Sequence, residues 1–108
     1  MVAFLVVRSF IIPAMALSTL QRRQIVYSGD VQGVGFRYTT RTLARGFEVT
    51  GYVRNLPDRR VELVVEGPED QLEGFLAAIG ERMSGQIRNI ESEIRPSIDE
   101  FANFEIRY

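Results

Sequence analysis

The residues best suited to chemistry lie in the stretch 28–38, which reads SGDVQGVGFRY. Three glycines in this stretch, Gly29, Gly33 and Gly35, are followed closely by Arg37. A glycine-rich turn that leads into a helix directs several unpaired N–H groups into one hollow, and the helix N-terminus adds partial positive charge there. An arginine at the rim contributes a charged planar fork that suits phosphate oxygens. The stretch therefore favours the binding of a small oxyanion, most naturally phosphate.

The glycines alone also fit a simpler interpretation. Turns between a strand and a helix often need glycine only because the backbone adopts positive φ. The spacing does not match the dinucleotide or Walker motifs, since no Gly-Lys-Ser/Thr sequence follows. Arg37, taken alone, fits a surface arginine paired with an acid equally well. Both interpretations stay open at this point.

The composition narrows the chemistry that the chain can perform. Its 108 residues fit one domain with its own core. The sequence contains no histidine, cysteine or lysine, which excludes imidazole bases, thiolate nucleophiles, lysine chemistry and the usual zinc ligands. Its acidic residues form no recognisable metal-ligand pattern, and we expect neither a metal nor another cofactor. The net charge of −1 argues against a nucleic-acid partner.

Residues 1–20 are apolar, but they do not form a clear targeting or membrane signal. Arg8 and Pro13 interrupt runs that are too short to span a bilayer. Residues 14–16, Ala-Met-Ala, imitate a signal-peptidase site, although the positive charge follows the first apolar run instead of preceding it. We interpret residues 1–20 as an N-terminal extension that is disordered or results from a start codon assigned before Met15. A secretion signal is the second interpretation.

From residue 21 onward, the hydrophobic patterns change between strand and helix periodicity. The predicted strands cover 21–29, 47–56, 61–66, 86–95 and 104–108. The first predicted helix covers 36–46. The second begins at the helix-start signature 67–70 and ends at Gly80 or Gly85. This βαββαβ order with a short C-terminal strand predicts an α+β, ferredoxin-like sandwich. Two helices are expected on one face of a mostly antiparallel sheet. We assign residues 21–108 to this single domain.

Four segments of this domain closely resemble the acylphosphatase family. They are YSGDVQGVGFR (27–37), GYVRNLPD (51–58), VELVVEGPEDQLEGFL (61–76) and FEIRY (104–108). The resemblance covers about residues 21–108 in the family's order, and the pair VQGVGFR and VRNLP is highly specific. It implies an enzyme that hydrolyses the carboxyl–phosphate bond of acyl phosphates without a metal and releases a carboxylate and inorganic phosphate.

The resemblance also implies roles for individual residues. The arginine that ends VQGVGFR, Arg37, would bind the phosphoryl group, and the asparagine of VRNLP, Asn55, would position the attacking water. Taken alone, Asn55 fits a turn former ahead of Pro57 better, and only the combination with Arg37 supports two catalytic residues. Backbone N–H groups of the glycine loop would complete a phosphate cradle, formed by Gly29, Asp30, Val31, Gln32, Gly33, Val34, Gly35 and Phe36.

Two residues depart from the family's pattern. Asp30 places a carboxylate in the expected cradle, where many relatives have arginine or another non-acidic residue. Its carboxylate weakens binding if it faces the anion and has little effect if it points to solvent. Arg59 follows Pro-Asp at a turn position where relatives often have glycine, so the turn either is of a different type or strains the arginine.

Other charged residues fit structural roles better. Arg41 and Arg45 follow Arg37 at helical spacing, and we expect them to form a solvated basic stripe. The acids near predicted turns and helix starts are interpreted as turn and cap residues, namely Asp58, Glu66, Glu69 and Asp70.

A second class of function stays open beside the enzyme, namely a catalytically silent module that binds phosphate or another anion. An RNA-binding sheet of this topology exposes aromatic residues on a central strand, and residues 61–66 contain none. An acylphosphatase-like module of larger carbamoyl-transfer proteins is a third interpretation, although 108 residues are too few to hold the partner domains. We expect a cytoplasmic monomer whose partner is a small-molecule acyl phosphate, with no nucleic acid and no membrane involved.

Overall fold

The computed structural model of the protein describes residues 20–108, which form one five-stranded sheet and two helices. The strands are β1 (Leu20–Gly29), β2 (Thr50–Asn55), β3 (Val61–Pro68), β4 (Ile87–Pro96) and β5 (Phe104–Arg107), and the helices are α1 (Phe36–Ala44) and α2 (Glu69–Arg82). Apart from Leu20, the predicted extension 1–20 lies outside the described residues. Neither helix is long and apolar enough to cross a membrane.

The strands lie in the order β4-β1-β3-β2-β5. β1 pairs antiparallel with β3 and β4, β2 pairs antiparallel with β3, and β5 runs parallel to β2. This arrangement confirms the predicted ferredoxin-like α+β sandwich with a mostly antiparallel sheet and a short C-terminal strand. Because β5 runs parallel to β2, both strands end at the same edge of the sheet, where α1 begins.

One face of the sheet packs against both helices and forms the core. α1 packs on β2 and β5, and α2 packs on β3 and β1. Alternate residues of the central strands point to this face, and those buried there include Ile25, Tyr27, Leu63 and Val65. The helices contribute side chains at the spacing of one helix face, with Phe36, Thr40 and Ala44 buried from α1 and Leu72, Phe75 and Ile79 buried from α2.

The first helix ends two residues earlier than predicted. The N–H groups of Arg45, Gly46 and Phe47 each donate to the carbonyl three residues before them, which closes α1 with a tighter turn. β2 correspondingly begins at Thr50 instead of residue 47. The predicted helical pattern was right, but its end depended on this local hydrogen bonding.

The opposite face of the sheet carries two buried carboxylates. Glu62 and Glu66 of β3 point away from the helices and are only 7% and 3% exposed. Glu66 accepts backbone N–H bonds from Ile98 and Glu100 and forms an ion pair with Arg22, with an N–O distance of 3.1 Å. The interpretation of Glu66 as a turn or cap residue is therefore wrong, because the carboxylate fastens the loop before β5 onto the sheet.

Candidate active site

The loop between β1 and α1 has the backbone geometry that an anion cradle needs. Gly33 and Gly35 have φ values of 78° and 79°, in the left-handed region that L side chains rarely adopt. Open space surrounds the position of a Cβ at both residues, so the backbone conformation and not crowding requires glycine. Gly35 is the N-cap of α1, and no side chain caps the helix. The N–H groups of the first helical turn are therefore available to an anion.

These N–H groups border a cavity of about 240 Å³. Its walls come from the glycine loop, the start of α1, the end of β2 and the C-terminal end of the chain. The lining residues are Val31, Gly33, Gly35, Phe36, Arg37, Tyr38, Arg41, Asn55, Ile106 and Tyr108. The fold thus brings the two side chains predicted to be catalytic to one cavity, together with four of the eight predicted cradle residues.

Arg37 is the second residue of α1, so its side chain begins where the helix N-terminus meets the cavity. Its guanidinium carbon lies 4.9 Å from the centre of the Tyr108 ring. None of the ion pairs within residues 20–108 involves Arg37. No carboxylate of the described fold neutralises this charge, which leaves its N–H groups able to bind a ligand.

Asn55 is the last residue of β2 and is half-buried. Its backbone position is fixed by pairing with Val61 of β3. The next residue, Leu56, donates its N–H to the Arg60 carbonyl over 2.8 Å, which closes the turn into β3. The backbone that carries the Asn55 side chain is therefore held in place at the end of β2, on one side of the cavity.

The Gln32 side chain ties the cradle loop to this turn. Its Nε2 donates to the carbonyls of Leu56 and Arg60, both over 2.9 Å. This connection holds the loop that carries Gly33 at a fixed spacing from the strand end that carries Asn55. The sequence offered no signal for this role, because the two partners lie more than twenty residues away along the chain.

Other predicted cradle residues take part in the fold around the cavity. The Asp30 N–H donates to the Gln86 carbonyl over 2.9 Å, so it is engaged there and is not directed into the cavity. The Asp30 carboxylate is 69% exposed and forms an ion pair with Arg88, with an N–O distance of 3.1 Å. At Gly29, an added Cβ would lie 2.4 Å from the Gln86 carbonyl oxygen. Val34 is exposed outside the cavity lining.

The cavity lining carries positive charge. Arg37 and Arg41 contribute two guanidinium groups, and no aspartate or glutamate is among the lining residues. In the part of the chain that the structure describes, no three histidine, cysteine, aspartate or glutamate side chains come together to hold a metal ion. The described site therefore offers hydrogen-bond donors and positive charge to an anion, and one neutral amide to a water molecule.

Four lining residues were not predicted as site residues from the sequence, namely Tyr38, Arg41, Ile106 and Tyr108. Tyr108 reaches Arg37 only because β5 pairs with β2, which no local pattern reveals. Arg41 was expected on a solvated stripe, and that expectation is wrong, since this side chain is half-buried and lines the cavity. The available signal was its position one helical turn after Arg37, which places both on one side of α1. Arg45 is exposed, as expected.

Fold and site together define a small ferredoxin-like protein with an arginine-lined cavity at a helix N-terminus. The family model for acylphosphatase matches residues 23–106, and the chain belongs to the acylphosphatase family.

Individual relatives match over nearly their whole length. The acylphosphatase of Archaeoglobus fulgidus is 43% identical over 89 residues, which cover 79% of this chain and 96% of that protein. The acylphosphatase of Salinibacter ruber is 38% identical over 94 residues, covering 86% of this chain and 99% of the relative. The crystal structure of the acylphosphatase from Bacillus subtilis superposes with a TM-score of 0.71 at 36% identity, over 82% of this chain and 99% of that one.

Proposed function

We propose that this protein is a metal-independent acylphosphatase, which hydrolyses the carboxyl–phosphate bond of acyl phosphates to a carboxylate and inorganic phosphate. The observation that carries the proposal is the meeting of Arg37, Asn55 and the glycine loop at one cavity. Membership of the acylphosphatase family supports the same activity. A silent anion-binding module is less well supported, because such a module has no need of Asn55 beside the cradle.

The phosphoryl group occupies the cradle at the start of α1. Backbone N–H groups from Gly33 to Phe36 and the helix dipole stabilise its oxygens. The Arg37 guanidinium donates two parallel, charge-assisted hydrogen bonds to the same oxygens. Asp30 is left out of this cradle, because its N–H already donates to Gln86. Catalysis of phosphoryl transfer depends mainly on such positioning and on neutralising charge on the oxygens.

Asn55 orients the attacking water in line with the bond to the carboxylate. Its amide offers an acceptor and two donors, which hold a water without removing its proton. No aspartate, glutamate or histidine side chain lines the cavity to act as a base. The proton of the water passes to a phosphate oxygen of the substrate, the P–O bond to the acyl group breaks, and a carboxylate leaves.

A cytoplasmic location, a monomeric state and the absence of membrane and nucleic-acid partners stay predictions from the sequence. They have no bearing on the chemistry of the cavity.

The activity is tested by hydrolysis of benzoyl phosphate in the presence of a chelator. We expect rapid turnover by the parent and a loss of about a hundred- to a thousandfold in kcat/KM for Arg37→Ala, the range seen when one preorganised donor is removed. Arg82→Ala is the matched control, because Arg82 is an exposed arginine at the end of α2. A folded parent that binds inorganic phosphate and does not hydrolyse benzoyl phosphate would support the silent module instead.

A further inference from the structure

Arg41 lies one helical turn after Arg37 and lines the same cavity. It also lines a second cavity of about 320 Å³, which extends along the rest of α1 and is bordered by Arg45 and Phe104. Both cavities are lined by residues of α1 and β5 and have Arg41 in common, so they lie next to each other in the groove between these elements. We call this groove the acyl groove.

The direction of the acyl groove follows from the topology. The N-terminus of α1 and the ends of β2 and β5 lie at one edge of the sheet, and the cradle is there. From that edge the acyl groove runs beside β5, past Ile106 in the first cavity and Phe104 in the second. A substrate held by its phosphate in the cradle has its acyl part in the first cavity, where Ile106 offers an apolar surface and Arg41 a charge.

Arg41 has no acidic partner in this part of the fold, although its guanidinium carbon lies 5.5 Å from the centre of the Tyr38 ring. Neither cavity has an aspartate or glutamate side chain among its lining residues. None of the ion pairs among residues 20–108 includes Arg41 or Arg45. The Nε of Arg41 is shielded from solvent and has no hydrogen-bond acceptor within the described residues. A half-buried guanidinium with no acidic partner lowers the stability of the folded protein, and an anionic ligand would supply the missing partner.

We propose that Arg41 binds an anionic group on the acyl part of the substrate. The preferred substrates are then acyl phosphates whose acyl group carries a carboxylate or a second phosphate. This inference rests on the proposed hydrolase activity and goes beyond it, because the cradle and Arg37 grip only the phosphoryl group that all acyl phosphates share. Arg41 is therefore a specificity-determining residue.

A matched pair of substrates tests the inference, namely benzoyl phosphate and 4-carboxybenzoyl phosphate, which differ by one carboxylate. We expect the parent to favour the carboxylated substrate by about tenfold in kcat/KM, the lower end of what a charge-assisted hydrogen bond supplies. The preference is expected mainly in KM, because the bond forms in the ground state and the transition state alike.

Arg41→Gln removes the charge and keeps a good helix former. We expect this variant to hydrolyse both substrates with nearly equal kcat/KM, whereas Arg41→Lys, which restores a cation, recovers part of the preference. Arg82→Gln removes an exposed arginine on α2 and should keep the parental ratio. The combination separates a local contact from the general attraction of an anion to a basic surface.

The remaining results of these experiments would contradict the role of Arg41 or the proposed function. A parent that hydrolyses benzoyl phosphate rapidly without favouring its carboxylated analogue would overturn the role of Arg41 and leave the hydrolase activity intact. A preference that survives in Arg41→Gln would overturn that role as well. A parent that hydrolyses neither substrate would refute the proposed function, and the inference with it.

Discussion

At the scale of single residues, the neighbour of Arg37 determines what its guanidinium can do. The centre of the Tyr108 ring lies 4.9 Å from the guanidinium carbon. An acidic side chain in this place would compete with the substrate for the charge of Arg37. A ring attracts the cation through its face, worth about 0.5–1 kcal/mol at exposed sites, and accepts no in-plane hydrogen bonds. The N–H groups of the Arg37 guanidinium therefore stay available to phosphoryl oxygens. The contact orients the Arg37 side chain without using its hydrogen-bond donors.

Asn55 and Arg37 also differ in what they can contribute. In the proposed mechanism the charged Arg37 binds the phosphate throughout the reaction, whereas the neutral Asn55 amide orients a water molecule and does not attract the anion. Removing Arg37 and removing Asn55 should therefore change different kinetic constants. This division of roles is the feature of the site with the clearest experimental consequence.

At the scale of elements, the turn between β2 and β3 carries a local strain. Arg59 has φ of 76°, in the left-handed region, and its N–H donates to the Leu56 carbonyl over 3.2 Å. The Leu56–Arg60 hydrogen bond encloses three residues, so this is a three-residue turn whose last position favours glycine. Both options raised by the sequence apply, because the turn is of a different type and the arginine is also strained.

Replacing Arg59 by glycine should therefore stabilise the protein. A left-handed L residue costs about 1–2 kcal/mol, of which the greater flexibility of unfolded glycine returns a part. We expect Arg59→Gly to raise Tm by several degrees, since about 1 kcal/mol corresponds to about 4–8 °C in a domain of this size. Arg59→Ala removes the same side chain and keeps a Cβ, so its Tm should stay near the parental value. Equal Tm values for the two variants would contradict the explanation by backbone strain.

The same elements show how far local patterns predict this molecule. Helix and strand periodicity predicted the order of the elements, because burial repeats every third or fourth residue on a helix and every second on a strand. The exact end of α1 was missed, because three short-range hydrogen bonds decide it. The cavity roles of Tyr108 and the Gln32 side chain depend on pairing between distant segments. Such contacts leave no periodic trace in one sequence.

Glu66 illustrates a further limit of sequence interpretation. Its place at the end of the predicted strand 61–66, just before Gly67 and Pro68, suggested a turn or cap role, whereas the structure pairs it with both neighbouring strands. The strand continues to Pro68, so alternation puts Glu66 on the face opposite the helices. A buried acid is rare without partners, and its partners come from β1 and from the loop before β5.

At the scale of the whole molecule, the face opposite the helices is held together by ionised carboxylates. Burial favours the neutral form of Glu66, but N–H bonds from Ile98 and Glu100 and the contact with Arg22 outweigh it and hold its pKa below the ordinary value. Burial likewise opposes ionisation of Glu62, and Arg54 and Gln24 lower the pKa of that carboxyl. Because both pKa values are lower in the folded than in the unfolded state, their contribution to stability is present above about pH 4.5 and is lost as the pH falls further.

This dependence predicts a pH-sensitive effect of Glu66→Gln. At pH 7 the variant should be less stable than the parent by about 2 kcal/mol, the scale of a hydrogen bond to a charged group. The difference should shrink as the pH falls below about 4.5, because the parental carboxylate is then increasingly protonated as well. Urea unfolding at several pH values measures both effects. Glu81→Gln, at an exposed position of α2, should follow the parental profile, and a pH-independent deficit in Glu66→Gln would exclude the ionised carboxylate as its cause.

The separate roles of Arg37 and Asn55 are tested most directly by measuring two constants on Asn55→Ala, kcat for benzoyl phosphate and the inhibition constant of inorganic phosphate. We expect kcat to fall by about a hundredfold or more, the scale of losing one preorganised group, while phosphate still inhibits within about threefold of the parental value. Asn89→Ala, at an exposed asparagine of β4, controls for the substitution itself. Near-parental turnover in Asn55→Ala would contradict the water-positioning role, and an equal loss of phosphate binding would make Asn55 part of the cradle instead.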